Sequence, residues 1–203
     1  MSADKYKRKQ LNVGNLTDEH ITAMVRIAQA RLGLKVDGFC GSKTLRALVK
    51  NPKSKVPLIV RVAAMELGNG EEGSNNSGRH IQRYRMGMKR RGGGEWCAAF
   101  VSYCLHRSGY ATKIQPALAA RAIVRNITKA GGTKSRVPSV GSVALWARGA
   151  VPWHGHVGIV SRIEGDRVWV IEGNIGKYPA KVAEREVTNR RRLIGYFSLP
   201  AIP

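Results

Sequence analysis

The sequence predicts an α+β fold in two parts: a small all-α domain, then a larger domain with its helices first and an antiparallel sheet after them. Three observations predict it. Apolar residues recur at helical spacing through the first part of the chain. After Pro138 the period changes to short β-branched and aromatic runs punctuated by glycine, and a basic stretch with two prolines separates the small domain from the large one near residue 51. At 203 residues there is room for one good-sized domain and a small one. A hydrophobic share of 43% excludes wholesale disorder.

The elements follow in order. Residues 1–16 form a basic N-terminal segment. Thr17 caps a first helix with Asp18 and Glu19 in its first turn, an apolar side of Ile21, Met24, Val25, Ala28 and Leu32, and Gly33 as its stop. A turn over 36–41 leads to a short second helix capped by Ser42, with Thr44, Leu45, Leu48 and Val49 inward. Residues 17–50 make the small domain and 51–57 the linker. The main domain, 58–203, opens with a helix that Pro57 starts and Gly68 stops. The loop 70–78 carries Glu71, Glu72, Asn75 and Asn76. Such oxygens hold hard cations, but without the alternating spacing of a calcium loop they predict a plain solvated loop. Helices are expected over 80–88 and 115–130, and strands over 142–147, 156–163, 167–172 and 193–199.

The chemistry centres on Gly92-Gly93-Gly94-Glu95-Trp96-Cys97. Glycines lead into a helix on which Cys97, Phe100, Val101, Cys104 and Leu105 form one apolar face. The first N–H groups of a helix lack intrahelical partners and carry partial positive charge, which favours a thiolate, the nucleophilic form. A small apolar residue filling a core helix is the plain alternative. With three cysteines, two of them two turns apart on one helix, a disulfide framework is not expected.

A base for Cys97 comes from the sheet. His156 opens one strand and the next carries Glu172-Gly173-Asn174. A two-residue turn at Gly165-Asp166 would place Glu172 on the far side. A three-residue turn over 164–166 pairs 158 with 172 and 156 with 174. Asn174 then lies across from His156, and Glu172 lies diagonal to it over the empty side of Gly158. A cysteine, a histidine and a carboxylate or amide to orient the ring is what thiolate acyl transfer requires. His154 and His156 together could instead hold zinc, with Cys97 as a third ligand.

Two resemblances rest on these motifs. The order Gln29-x-x-Leu32-Gly33-Leu34-x-Val36-Asp37-Gly38-x-x-Gly41-x-x-Thr44 resembles the small three-helix peptidoglycan-binding domain. Trp96-Cys97-Ala98-Ala99-Phe100-Val101, Pro138-x-x-Gly141-Ser142-Val143, Gly155-His156-Val157-Gly158-Ile159-Val160 and Glu172-Gly173-Asn174 resemble the CHAP family of peptidoglycan amidases and peptidases, in the papain-like NlpC/P60 group. The second resemblance implies Cys97 as nucleophile, His156 as base and Glu172 and Asn174 as orienting groups. Trp96, Trp153 and His154 beside them are the candidates for substrate contact, and neither cofactor nor metal is implied. The substrate it implies is bacterial peptidoglycan, cut at the muramoyl–L-alanine link or inside the peptide. The pairing of both modules resembles a bacteriophage endolysin.

Charge and sorting signals complete the reading. With 35 basic and 13 acidic residues the net charge is +22. Residues 1–57 contribute 12 basic and 4 acidic (+8), and 58–203 contribute 23 and 9 (+14). So even a spread suggests a surface suited to anionic wall or outer-membrane polymers, with sequence-blind nucleic-acid binding as a side effect. Nucleic-acid binding without catalysis is the rival class, but none of its signature motifs is present. The chain starts without an apolar leader and holds no membrane-length apolar run. A monomer is expected, kept in the host cytoplasm until a holin opens the way to the wall, or delivered as a toxin.

Overall fold

In the computed structural model, which describes residues 18–31, 35–41, 43–44, 47, 56–89, 94–151, 154–187 and 191–201, the chain divides into two units, 1–51 and 52–203. The expected basic segment 1–16, Thr17, Ser42 and most of the linker lie outside the described residues. In the first unit, helix α1 spans Asp18–Arg31. Its buried Gln29 accounts for the turn motif that follows. The Gln29 carboxamide donates to Asp37 Oδ1 (2.8 Å), Thr44 Oγ1 (2.9 Å) and the Phe39 carbonyl (3.1 Å). Its oxygen accepts from the Gly38 and Asp37 amides (2.8 and 3.1 Å). One side chain thereby satisfies the backbone of a turn that is too short to satisfy itself.

The second unit is helical first and then a sheet, as the sequence predicts. Helices α2 (Leu58–Ala64), α3 (Arg79–Arg85), α4 (Cys97–Leu105) and α5 (Ala120–Lys129) precede or accompany six strands. The strands are β1 (Lys134–Ser135), β2 (Val143–Ala147), β3 (Gly155–Glu164), β4 (Arg167–Ile175), β5 (Lys181–Glu186) and β6 (Leu193–Phe197). They lie in the order β1-β6-β2-β3-β4-β5, with every neighbour antiparallel. Two of them, β1 and β5, fall where no strand is expected from the sequence.

Helix α4 is the centre of this unit. The sequence predicts one buried face, but all nine of its residues are buried. Helices α2, α3 and α5 and strands β3 and β4 surround it, so its small residues Ala98, Ala99 and Ser102 also face protein. Gly173 makes the approach to the sheet possible: a Cβ there would lie 2.7 Å from both Phe100 Cβ and the Trp96 ring. On the sheet's other face Ala144, Val160, Val168, Val170 and Tyr196 pack into a second apolar cluster.

Two buried carboxylates tie the helices down. Glu66 accepts from Tyr84 Oη (2.9 Å), Asn69 Nδ2 (2.9 Å) and Tyr103 Oη (3.3 Å) and is paired with the Arg83 guanidinium. Glu71 accepts from Trp96 Nε1 (3.0 Å), the Asn76 amide (3.0 Å) and the Ala180 amide (2.8 Å). The loop 70–78 is therefore not simply solvated. Its Glu71 is 6% exposed and joins the start of α4 to the start of β5.

Candidate active site

The site forms where the start of α4 meets the ends of β3 and β4. Cys97 is the first residue of α4 and is 3% exposed, after a left-handed turn at Gly94 (φ 111°). His156 stands next to the first residue of β3, opposite Trp146 of β2, whose ring centroid lies 6.2 Å from the imidazole. Its Nε2–H donates to Glu172 Oε1 at 3.1 Å. That leaves Nδ1 for Cys97, whose interaction with the imidazole helps to raise its pKa.

The electrostatics follow from burial and partners. Burial alone would lower the pKa of His156. Hydrogen bonds with Cys97 and Glu172, and the charges they carry, outweigh it and raise the pKa from 6.5 to about 9. Glu172 is 1% exposed, and a carboxylate so withdrawn from water needs donors on both oxygens. Oε1 has His156, and Oε2 has the Arg185 guanidinium of β5, whose Nε and an Nη each lie at 2.7 Å. Arg185 is absent from the sequence-based site. The only signal for it is a charged residue on a stretch too polar to read as a strand.

The register that brings His156 and Glu172 together matches the expectation, but by a different route. The hairpin has a two-residue turn, with Glu164 paired to Arg167. A β-bulge between Val160 and Arg162 then shifts the pairing by one, so that Gly158 faces Glu172. A Cβ on Gly158 would lie 2.5 Å from Glu172 Cγ, so the carboxylate occupies the space the glycine leaves empty.

The remaining candidates separate. Asn174 does not take the expected place across from His156. The β3–β4 pairing ends at Gly158–Glu172, Asn174 turns into the left-handed region (φ 63°), and the ring nitrogen goes to Glu172. Trp96 is not placed for substrate contact, because it is 0% exposed and its indole N–H is spent on Glu71. His154 is exposed and lines, with Cys97, an open cleft of about 280 Å³ whose rim holds the Arg148–Glu95 ion pair at 2.7 Å. Trp153 lies outside the described residues. Among the described residues no three His, Cys, Asp or Glu side chains converge as a metal site, and no helix is long and apolar enough to cross a membrane.

Comparison with known proteins matches part of the chain to a domain family. Residues 89–174, which include Cys97, His156, Glu172 and Asn174, match the CHAP domain. Among solved structures, the chain is similar to the endolysin LysIME-EF1 at 18% identity and a TM-score of 0.47, over 70% of this chain and 62% of that one. It is also similar to Ly7917 at 17% identity and a TM-score of 0.48, over 70% and 61%. The structure of Ly7917 with the hydrolyzing product of MDP gives 18%, 0.47, 70% and 62%. The chain thus matches about six tenths of the length of these proteins. No curated protein matches it.

Proposed function

We propose that this chain, with a CHAP domain at residues 89–174, is a peptidoglycan hydrolase that cuts an amide bond by cysteine catalysis. The observation that carries the reading is the His156 imidazole, held between Cys97 at a helix start and the buried Glu172. Cys97 and His156 act as a thiolate–imidazolium pair. The thiolate attacks the amide carbonyl carbon, and the resulting oxyanion lies beside the Cys97 backbone N–H, which has no intrahelical partner. His156 gives its proton to the leaving amine as the C–N bond breaks, and a thioester forms. A water then gives its proton to neutral His156 and adds to the thioester, releasing the carboxylate product and restoring the pair. Glu172 holds the ring in the orientation both proton transfers need.

The open cleft beside Cys97 suits a polymer strand, and Arg148, Glu95 and His154 are the side chains such a strand would meet there. We read residues 17–50 as a wall-binding module and the +22 charge as attraction to anionic wall polymers. The test is digestion of purified peptidoglycan by the wild type and Cys97→Ala, with mass spectrometry of the released fragments. New carboxyl and amine termini, absent from the Cys97→Ala digest, support the reading. They also tell the muramoyl–L-alanine link from a peptide amide. Intact wall after wild-type digestion would refute it.

A further inference from the structure

Four side chains from four elements form one row: Cys97 of α4, His156 of β3, Glu172 of β4 and Arg185 of β5. In the reactive form their charges alternate, negative on the sulfur and carboxylate, positive on the imidazole and guanidinium. From this row we propose that Arg185 is a positioning residue of the reaction, setting through Glu172 how firmly His156 holds its proton and pairs with Cys97. The proposal rests on the cysteine mechanism above.

The geometry separates Arg185 from the other paired arginines of the sheet. Arg162 and Arg167 also pair with glutamates, but their partners Glu164, Glu184 and Glu186 are 55%, 30% and 27% exposed in their side chains. The partner of Arg185 is 1% exposed. Arg185 also meets a single oxygen of it through two nitrogens, Nε and Nη, both at 2.7 Å. A planar fork of this kind fixes direction as well as charge. Pairing of Glu172 with Ala183 and Val170 with Arg185 puts the guanidinium on the same sheet face, one diagonal step away. Without the fork, Oε2 would be a buried acceptor with no donor, a state that folded proteins avoid. The carboxylate would then turn or be neutralised, and either outcome loosens the imidazole.

The charged and titratable groups around His156 are few enough for a clear readout. Cys97 faces it from α4, Glu172 from β4, with Arg185 behind from β5, while β2 contributes only the neutral Trp146 ring. On the open side the cleft holds Glu95, Arg148 and His154. The hydrogen bonds that raise the pKa of His156 to about 9, against the effect of its burial, are consistent with a carboxylate held in place from behind.

The experiment is the pH dependence of Cys97 alkylation by iodoacetamide in the full chain, read from the Cys97 peptide by mass spectrometry. It needs no wall substrate, so it stands apart from the test of hydrolysis. In Arg185→Met the acid limb of the profile should move to higher pH by about one unit, the low end of what an opposite charge at a few ångströms contributes. Arg185→Lys, with charge but no fork, should fall between Met and wild type. Glu172→Gln should make position 185 irrelevant, so that Glu172→Gln and the double variant with Arg185→Met share one profile. Should Arg185→Met fail to fold, Arg185→Lys decides by its own limb. An unmoved limb in the folded variants, or a further shift in the double variant, would overturn the proposal. A moved limb with no wall hydrolysis by the wild type would instead overturn the cysteine-hydrolase reading and keep the coupling.

Discussion

Gly158→Ala tests whether the placement of Glu172 matters, with one added methyl group and no change to any reacting atom. A Cβ at 158 would lie 2.5 Å from both Glu172 Cγ and Val170 Cγ1 and 3.0 Å from the Ile171 carbonyl. Comfortable contact begins at roughly 3.5 Å, so Glu172 must retreat by about 1 Å. Its bond to His156 is already 3.1 Å, and a retreat of that size takes it out of hydrogen-bond range. Misplacement of a catalytic group by about 1 Å costs on the order of 10²-fold in rate. The overpacking itself should cost about 1–3 kcal/mol of stability, each kcal/mol lowering the melting temperature by roughly 2–4 °C in a unit of this size. The assay is release of new amines from purified wall, beside thermal unfolding. Gly132→Ala is the matched control, since its Cβ would meet Ile127 Cγ2 at 2.6 Å and the Ser198 carbonyl, neither of them a residue of the candidate site. It should lose stability and keep activity. If Gly158→Ala loses only stability, in step with Gly132→Ala, the argument for a carboxylate-held imidazole fails.

Four further outcomes are expected. Cys97→Ala should abolish hydrolysis while the chain stays folded. Cys104→Ala, at a thiol that is 0% exposed and pushed up in pKa by burial and then by Glu66, should keep activity and lose on the order of 1 kcal/mol. Trp96→Phe removes the indole donor to Glu71 and should cost about 1–3 kcal/mol in denaturant melts with KM for wall unchanged; a changed KM at full stability would return Trp96 to the substrate. Because the pKa of His156 is raised from 6.5 to about 9, its proton is present below that value and lost above it. The kcat profile should therefore fall on the alkaline side near pH 9, and activity undiminished well above that point would mean that His156 does not supply the proton.

Legibility in the sequence tracked how much of a signal is local. The α4 start, with glycines before an apolar helix, is written in consecutive residues, and so are β2, β3, β4 and β6 with their β-branched and aromatic runs. The small unit's Gln29 and its turn were legible as a motif, although its reason, five hydrogen bonds to one carboxamide, needed the fold. Strand β5 was not legible. Its sequence Lys-Val-Ala-Glu-Arg-Glu alternates no apolar face, and it sits at the sheet edge with Val182 as its one buried residue. Arg185 was lost with its strand, because a charge on an unrecognised edge has no partner to suggest. Trp96 misled for the opposite reason. A tryptophan beside a nucleophile invites a substrate role, and only a glutamate 25 residues earlier explains its burial.

The β3–β4 hairpin shows how His156 and Glu172 come together. From the turn alone, two residues long, Glu172 belongs on the wrong side of the sheet from His156. One extra residue in β3, at the bulge, reverses that result, and Ser161 holds the bulge by donating to Glu184 Oε1 on β5 at 2.6 Å. A three-residue turn would give the same pairing by another path. Turn length alone therefore does not fix the pairing. Gly158, directly opposite Glu172, leaves open the space that the carboxylate occupies on its way to His156. The backbone reaches this register by a bulge that hydrophobic alternation does not announce.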